Sequence, residues 1–134
     1  MFVDACAIIA LLSDEAEADR VSEALISAAS RMTSPVAVLE AALALARPDK
    51  FGLSVEAVEP LILEFLDPCG IDIRDLPPAM ETTRLALSAA HRYRGGRHGL
   101  NLGDCLHYAC AKLHGAPILA TDDEFRQADL ETVP

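Results

Sequence analysis

Four carboxylates in this chain stand where apolar segments begin, end or run unbroken. A fold that buries those segments must also bring the carboxylates inward. Asp4 closes the apolar start Phe2-Val3, and Asp122 follows the strand-like run Ile118-Leu-Ala-Thr121. Glu40 is the only charge between Val36 and Ala46, and Asp104 opens an apolar segment after Asn101-Leu-Gly. A carboxylate taken out of water costs several kcal/mol unless it is paired or bound to a metal. Four such positions predict one buried acidic cluster holding a divalent cation. A hydrolytic nuclease is the chemistry that follows most directly.

The segments between these acids alternate in period. Residues 2–4 read as a short buried strand, followed by a helix from about 7 to 12 and an amphipathic one over 15–29. In the latter, Ala18, Val21, Leu25 and Ile26 line one face and Asp19, Arg20 and Glu23 the other. Residues 31–33 form a strand. Ser34-Pro35 then starts a helix, Ser as N-cap and Pro at its first position, that runs to about residue 46. A helix over 54–66 contains Pro60, which is expected to split it. A strand over 70–73 and a helix opened by Pro77-Pro78 and reaching residue 93 follow. Residues 94–99 are a basic, Gly-rich loop, and residues 104–114 a helix closed by Gly115. A strand over 118–120, a helical turn over 122–127 and a last strand within 130–133 complete the chain. Strands alternating with helices predict an α/β sandwich around a mainly parallel sheet of four to five short strands.

Composition narrows the class. A chain of 134 residues, 51% apolar and 24% charged, fits a single domain over 1–134. No apolar run reaches the roughly 20 residues of a membrane span, and no signal peptide is evident, so a cytoplasmic location without membrane contact is expected. Cys6, Cys69, Cys105 and Cys110 form no CxxC pair and read as small buried hydrophobes of a reducing compartment. His107 and His114 share a helix with Cys110, but their spacing offers no tetrahedral zinc set. A net charge of −10 argues against a general nucleic-acid binder. The bases do cluster, however. Arg94, Arg97 and His98 sit in the loop that leads to Asp104, where they could hold RNA phosphates; the alternative is a solvated surface loop.

In open parallel sheets, ligands bind beyond the carboxyl ends of strands. Asp4 and Asp122 stand there, Glu40 lies in the second turn of a helix that follows a strand, and Asp104 begins a helix after a loop. Each has a structural alternative. Asp4 could cap the next helix, Asp104 could be a first-turn acid, and Thr121 with Glu124 could form a capping box that makes Asp122 ordinary. Asp123 could replace Asp122 in either role. Glu40, with Val36 and Leu43 at helical spacing, lies on the apolar face and is the hardest to explain away. Hard oxygen donors select Mg²⁺, with Mn²⁺ as the alternative, and can supply a metal-activated water to a phosphodiester. No Ser/His/Asp or Cys/His nucleophile motif competes. A haloacid-dehalogenase pattern would need an Asp where Cys6 stands.

The chain resembles the PIN domains, and among them the VapC toxin ribonucleases of toxin–antitoxin pairs. The resemblance rests on Phe2-Val-Asp4 with the apolar stretch after it, on Ser34-Pro-Val-Ala-Val-Leu-Glu40, on Leu100-Asn-Leu-Gly-Asp-Cys-Leu-His-Tyr-Ala-Cys-Ala-Lys112 and on Ile118-Leu-Ala-Thr-Asp-Asp-Glu-Phe125. It implies a PIN-like three-layer sandwich and an Mg²⁺-dependent endoribonuclease with Asp4, Glu40, Asp104 and Asp122 as its metal-binding quartet. It also implies a homodimer, an RNA substrate and a cognate VapB-like antitoxin whose tail covers the site. Where the family often carries a Ser or Thr after the first acid, this chain has Ala5-Cys6. Cys6 and Thr121 are the residues expected to support the ligands. That departure sustains a second hypothesis, a catalytically weakened PIN-like module acting by protein or RNA binding.

Overall fold

A computed structural model describes residues 1–134. Five strands, β1 (Phe2–Val3), β2 (Arg31–Thr33), β3 (Ile71–Ile73), β4 (Ile118–Leu119) and β5 (Thr132–Val133), form one sheet in the order β3-β2-β1-β4-β5. Every pairing is parallel, with Phe2 level with both Met32 and Ile118. Parallel neighbours need crossover connections. These are supplied by α1 (Ala5–Leu12) and α2 (Ala18–Ser27), by α3 (Pro35–Leu45) and α4 (Val55–Leu66), by α5 (Ala79–Tyr93) and α6 (Leu102–Leu113), and by a 3-10 turn over Asp123–Gln127. The expected α/β architecture is therefore present, and the sheet is wholly parallel.

The strand order fixes where a site can form. The chain lays β2 and β3 on one side of β1, then returns to lay β4 and β5 on the other. The reversal lies between β1 and β4, and a crevice opens at their carboxyl ends. Asp4 and Thr121-Asp122 leave the sheet at that crevice. The core beneath is built from Phe2, Val3, Ile8, Leu45, Ile62, Leu100, Ile118, Leu119 and Phe125, all buried. Burying each of the larger side chains stabilises the fold by about 1.5–3 kcal/mol.

Local signals account for most boundaries. Ser34 Oγ accepts the Ala37 N–H at 3.2 Å and Pro35 opens α3, as the sequence indicates. Several expectations need correction. α1 begins at Ala5, two residues earlier than expected, because Asp4 caps it. α2 is shorter than 15–29, and Ile26 is 74% exposed while Val21 and Leu25 are buried. Pro60 does not split α4. Glu56, whose carbonyl loses its donor, is on the exposed side, where water can replace it. On α3 the buried stripe is Ala37, Ala41, Ala42 and Leu45, and Leu43 is exposed. α6 begins at Leu102 with Asn101 as N-cap, so the helix precedes Asp104. Gly103 in its first turn hides that start from a reading by propensity.

Candidate functional site

Asp4 is where β1 becomes α1. Its Oδ2 accepts the Cys6 N–H at 3.1 Å, so the capping alternative is real. Capping uses only one carboxylate oxygen. The other, Oδ1, lies 2.6 Å from His107 Nδ1, a contact between elements 103 residues apart. Asp4 is 4% exposed and His107 not at all. The His107 ring also packs on Phe2, with centroids 5.6 Å apart.

His107 stands one turn after Asp104, and residues at this spacing share a helix face. Asp104 is the third residue of α6 and closes a capping box. Its N–H donates to Asn101 Oδ1 at 3.0 Å, while its Oδ2 accepts the Asn101 N–H at 2.7 Å. Capping and site membership coincide again, because donor atoms of Asp4, Asp104 and His107 all lie within 4.8 Å of one another. Glu40 arrives from α3. Its side chain is 35% exposed, and its Oε2 is 3.3 Å from His107 Nε2. That pair lacks hydrogen-bond geometry, and Nε2 is buried without a partner. Glycine at residue 103 leaves room for the Glu40 carboxylate in this position: a Cβ there would overlap it and make it shift.

The fourth acid lies at the rim. Asp122 precedes the 3-10 turn, is exposed, and makes no side-chain capping bond. The expected Thr121–Glu124 capping box is thus absent, because the turn starts one residue later and is too short to be an α-helix. Asp123 pairs with Arg126 at 2.9 Å, whereas Asp122 is close enough to feel the charge of Asp4. Thr121 contributes its backbone N–H, which donates to Cys6 Sγ at 3.2 Å. The Cys6 thiol also lies against Asp4, and burial followed by the Asp4 charge pushes its pKa well up. Cys6 therefore ties the end of β1 to the end of β4.

Charge balance is the site's outstanding property. Burial raises Asp104 to about 6, and the nearby Asp4 charge adds to the effect. Burial also raises Glu40. At the rim, partial desolvation, then Glu124 and Asp4, raise Asp122. Asp4 alone is lowered: burial opposes its charge, but the hydrogen bonds from His107 and Cys6 outweigh it. His107 is raised although burial works against its protonated form, because Asp4, Glu40 and Asp104 surround it. Several carboxylates thus converge on one imidazole. Such a cluster is stabilised by added positive charge.

Arg94, Arg97 and His98 are exposed on the loop between α5 and α6, and none of their side chains is engaged in an ion pair. Gly99 lets the loop close on itself, since a Cβ there would overlap the Arg94 carbonyl. The Gln127 amide donates to the His98 carbonyl, holding the loop to the turn that follows Asp122. All four cysteines are free; Cys105 and Cys110 are buried as expected, whereas Cys6 and Cys69 are only half-buried. His114 is exposed at the end of α6.

Sequence reasoning did not find His107, Gly103 or Glu124. The one local signal for His107 was its three-residue spacing from Asp104. Gly103 had none, since its role exists only once α3 lies against α6. Glu124 borders both Asp104 and Asp122.

Comparison with known proteins identifies the family. The PIN domain family model matches residues 1–131. Ribonuclease VapC30 of Mycobacterium tuberculosis is 33% identical over 138 residues, covering 99% of this chain and 98% of its own. Ribonuclease VapC42 of the same organism is 35% identical over 134 residues, covering 97% and 96%. The crystal structure of Mycobacterium tuberculosis VapC20, described as a sarcin-ricin loop cleaving toxin, superposes with a TM-score of 0.74. It covers 99% of this chain and 98% of its own at 20% identity. The crevice at the strand reversal, the acids gathered there and these likenesses across nearly the whole length have one explanation: this chain belongs to the PIN-domain family, within its VapC group.

Proposed function

We propose that the protein is a metal-dependent endoribonuclease that acts as the toxin of a VapBC-type pair in the cytoplasm. The observation that carries this reading is the convergence of Asp4, Glu40 and Asp104 around His107 at the strand reversal. The relatives named VapC ribonucleases support it.

The residues present fit a divalent cation. The site gathers carboxylates with raised pKa values and an orphaned buried nitrogen, an arrangement stabilised by added positive charge. Asp4, Glu40, Asp104 and Asp122 are the residues that would hold it, with Asp123 the alternative fourth acid; oxygen donors favour Mg²⁺, with Mn²⁺ possible. When bound, the cation would lower the pKa of a water and neutralise charge on the scissile phosphate. Cys6 and Thr121 hold Asp4 in register with β4, which keeps the first and last acids on one wall. Asp104 is oriented by its own capping box. Arg94, Arg97 and His98 hold flanking phosphates at the mouth, so an acidic protein engages RNA through one local basic edge. The partners in this reading are a cognate VapB-like antitoxin with a basic tail, and a second copy of the chain.

The purified chain is incubated with total RNA in Mg²⁺ and then in chelator. Cleavage should require the cation and vanish in Asp104→Asn. Asp122→Asn should cost far more activity than Asp123→Asn, because Asp123 is occupied by Arg126. RNA left intact with either cation, by a chain that still binds RNA or antitoxin, would support the non-cleaving module instead.

A further inference from the structure

We propose that His107 is a nitrogen ligand in this site and shifts its choice of cation from Mg²⁺ toward first-row transition dications. This rests on the metal-site reading above and adds a residue to it. Three observations converge. His107 is wholly buried, and its Nδ1 is fully used at 2.6 Å from Asp4 Oδ1. A metal-bound imidazole usually donates its second N–H to a carboxylate, which sets the tautomer and ring orientation. That arrangement leaves the Nε2 lone pair free, and here Nε2 is the orphan, 3.3 Å from Glu40 Oε2 but outside hydrogen-bond geometry. With the ring neutral, Nε2 and the Glu40 carboxylate are two acceptors, which repel inside a protein unless a positive centre, a proton or a cation, lies between or beside them.

The helix supplies the third observation. Asp104 and His107 lie three residues apart on α6, the carboxylate-x-x-His spacing by which a helix presents an oxygen and a nitrogen to a shared cation. One ligand atom from each, with one from Asp4, lies within 4.8 Å of the others, and Asp4, meeting the ring at Nδ1 on the side away from Nε2, orients the imidazole. The ring is held on its face by Phe2 and by its bond to Asp4, so Nε2 is presented in one orientation. Imidazole is a borderline donor that binds transition dications in preference to Mg²⁺, which favours oxygen and water. A purely carboxylate site discriminates less.

Mn²⁺ is the probe, because it is paramagnetic and reports directly bound nitrogen. Electron spin echo spectra of the full chain with Mn²⁺ should show coupling to one ¹⁴N, and the coupling should vanish in His107→Asn. Calorimetric titrations should show the Mn²⁺-over-Mg²⁺ affinity ratio falling about tenfold or more in that variant. Absence of ¹⁴N coupling in the wild-type Mn²⁺ complex overturns the proposal, and so does an unchanged ratio. If His107→Asn does not fold, the wild-type spectrum decides alone. Failure of the underlying reading looks different: the wild type would bind neither cation, or Asp104→Asn would bind both as well as wild type does.

Discussion

Asp104→Asn should make the metal-free protein more stable while abolishing its function. In the folded chain the Asp104 carboxyl is raised from 3.8 to about 6, by burial first and by the Asp4 charge next. A carboxyl whose folded value exceeds its unfolded one stays protonated longer in the native state. Its contribution to stability is full below about pH 4 and is lost as pH rises through 6. Converted directly, the penalty at neutral pH is about 3 kcal/mol. Asparagine keeps an acceptor for the Asn101 N–H, so the capping box survives, but it gives up about 0.5 kcal/mol of charge–dipole interaction at the helix start. A net gain of about 2 kcal/mol remains. For a chain of this size that raises the unfolding midpoint by roughly 6–10 °C. The assay is thermal unfolding of chelator-dialysed protein at pH 7.5 and at pH 4.5. The variant should be the more stable at the higher pH, and the gap should shrink to about a third at the lower. Adding Mg²⁺ or Mn²⁺ should stabilise the wild type and leave the variant nearly unmoved. A variant equal to or weaker than wild type at pH 7.5 without metal would refute the claim that burying this carboxylate beside Asp4 costs the fold stability.

Two further substitutions probe parts of the site that carry no acid. Gly103→Ala should leave the midpoint unchanged or slightly higher, since Ala favours a helix by about 0.5–1 kcal/mol over Gly. It should nonetheless cut RNA cleavage about tenfold or more by displacing the Glu40 carboxylate, and full activity would show that Glu40 has no fixed place. Neutralising Arg94 and Arg97 together should weaken RNA binding and reduce the slope of log affinity against log salt by about two. Identical slopes across several salt concentrations would return that loop to ordinary surface.

What the sequence determined by itself is what adjacent residues can decide. Short apolar runs alternating with helix patterns dictated a parallel α/β sheet, and Ser34-Pro35 placed the start of α3 because a cap is a contact over three residues. The acids were legible because a charge inside an apolar run is anomalous before any fold is known. Their dull explanations were legible too, and for Asp4 and Asp104 both readings hold at once, since a carboxylate has two oxygens and capping occupies one. Only the tertiary structure decided the rest. Which side of β1 receives β4 sets where Asp4 meets Asp122, and the approach of α3 to α6 gives Gly103 its purpose. His107 looked like one more helix residue until a strand 103 positions earlier delivered Asp4 to its ring. Such contacts depend on strand order and helix packing, which are properties of the whole buried core and are written in no local stretch of the chain.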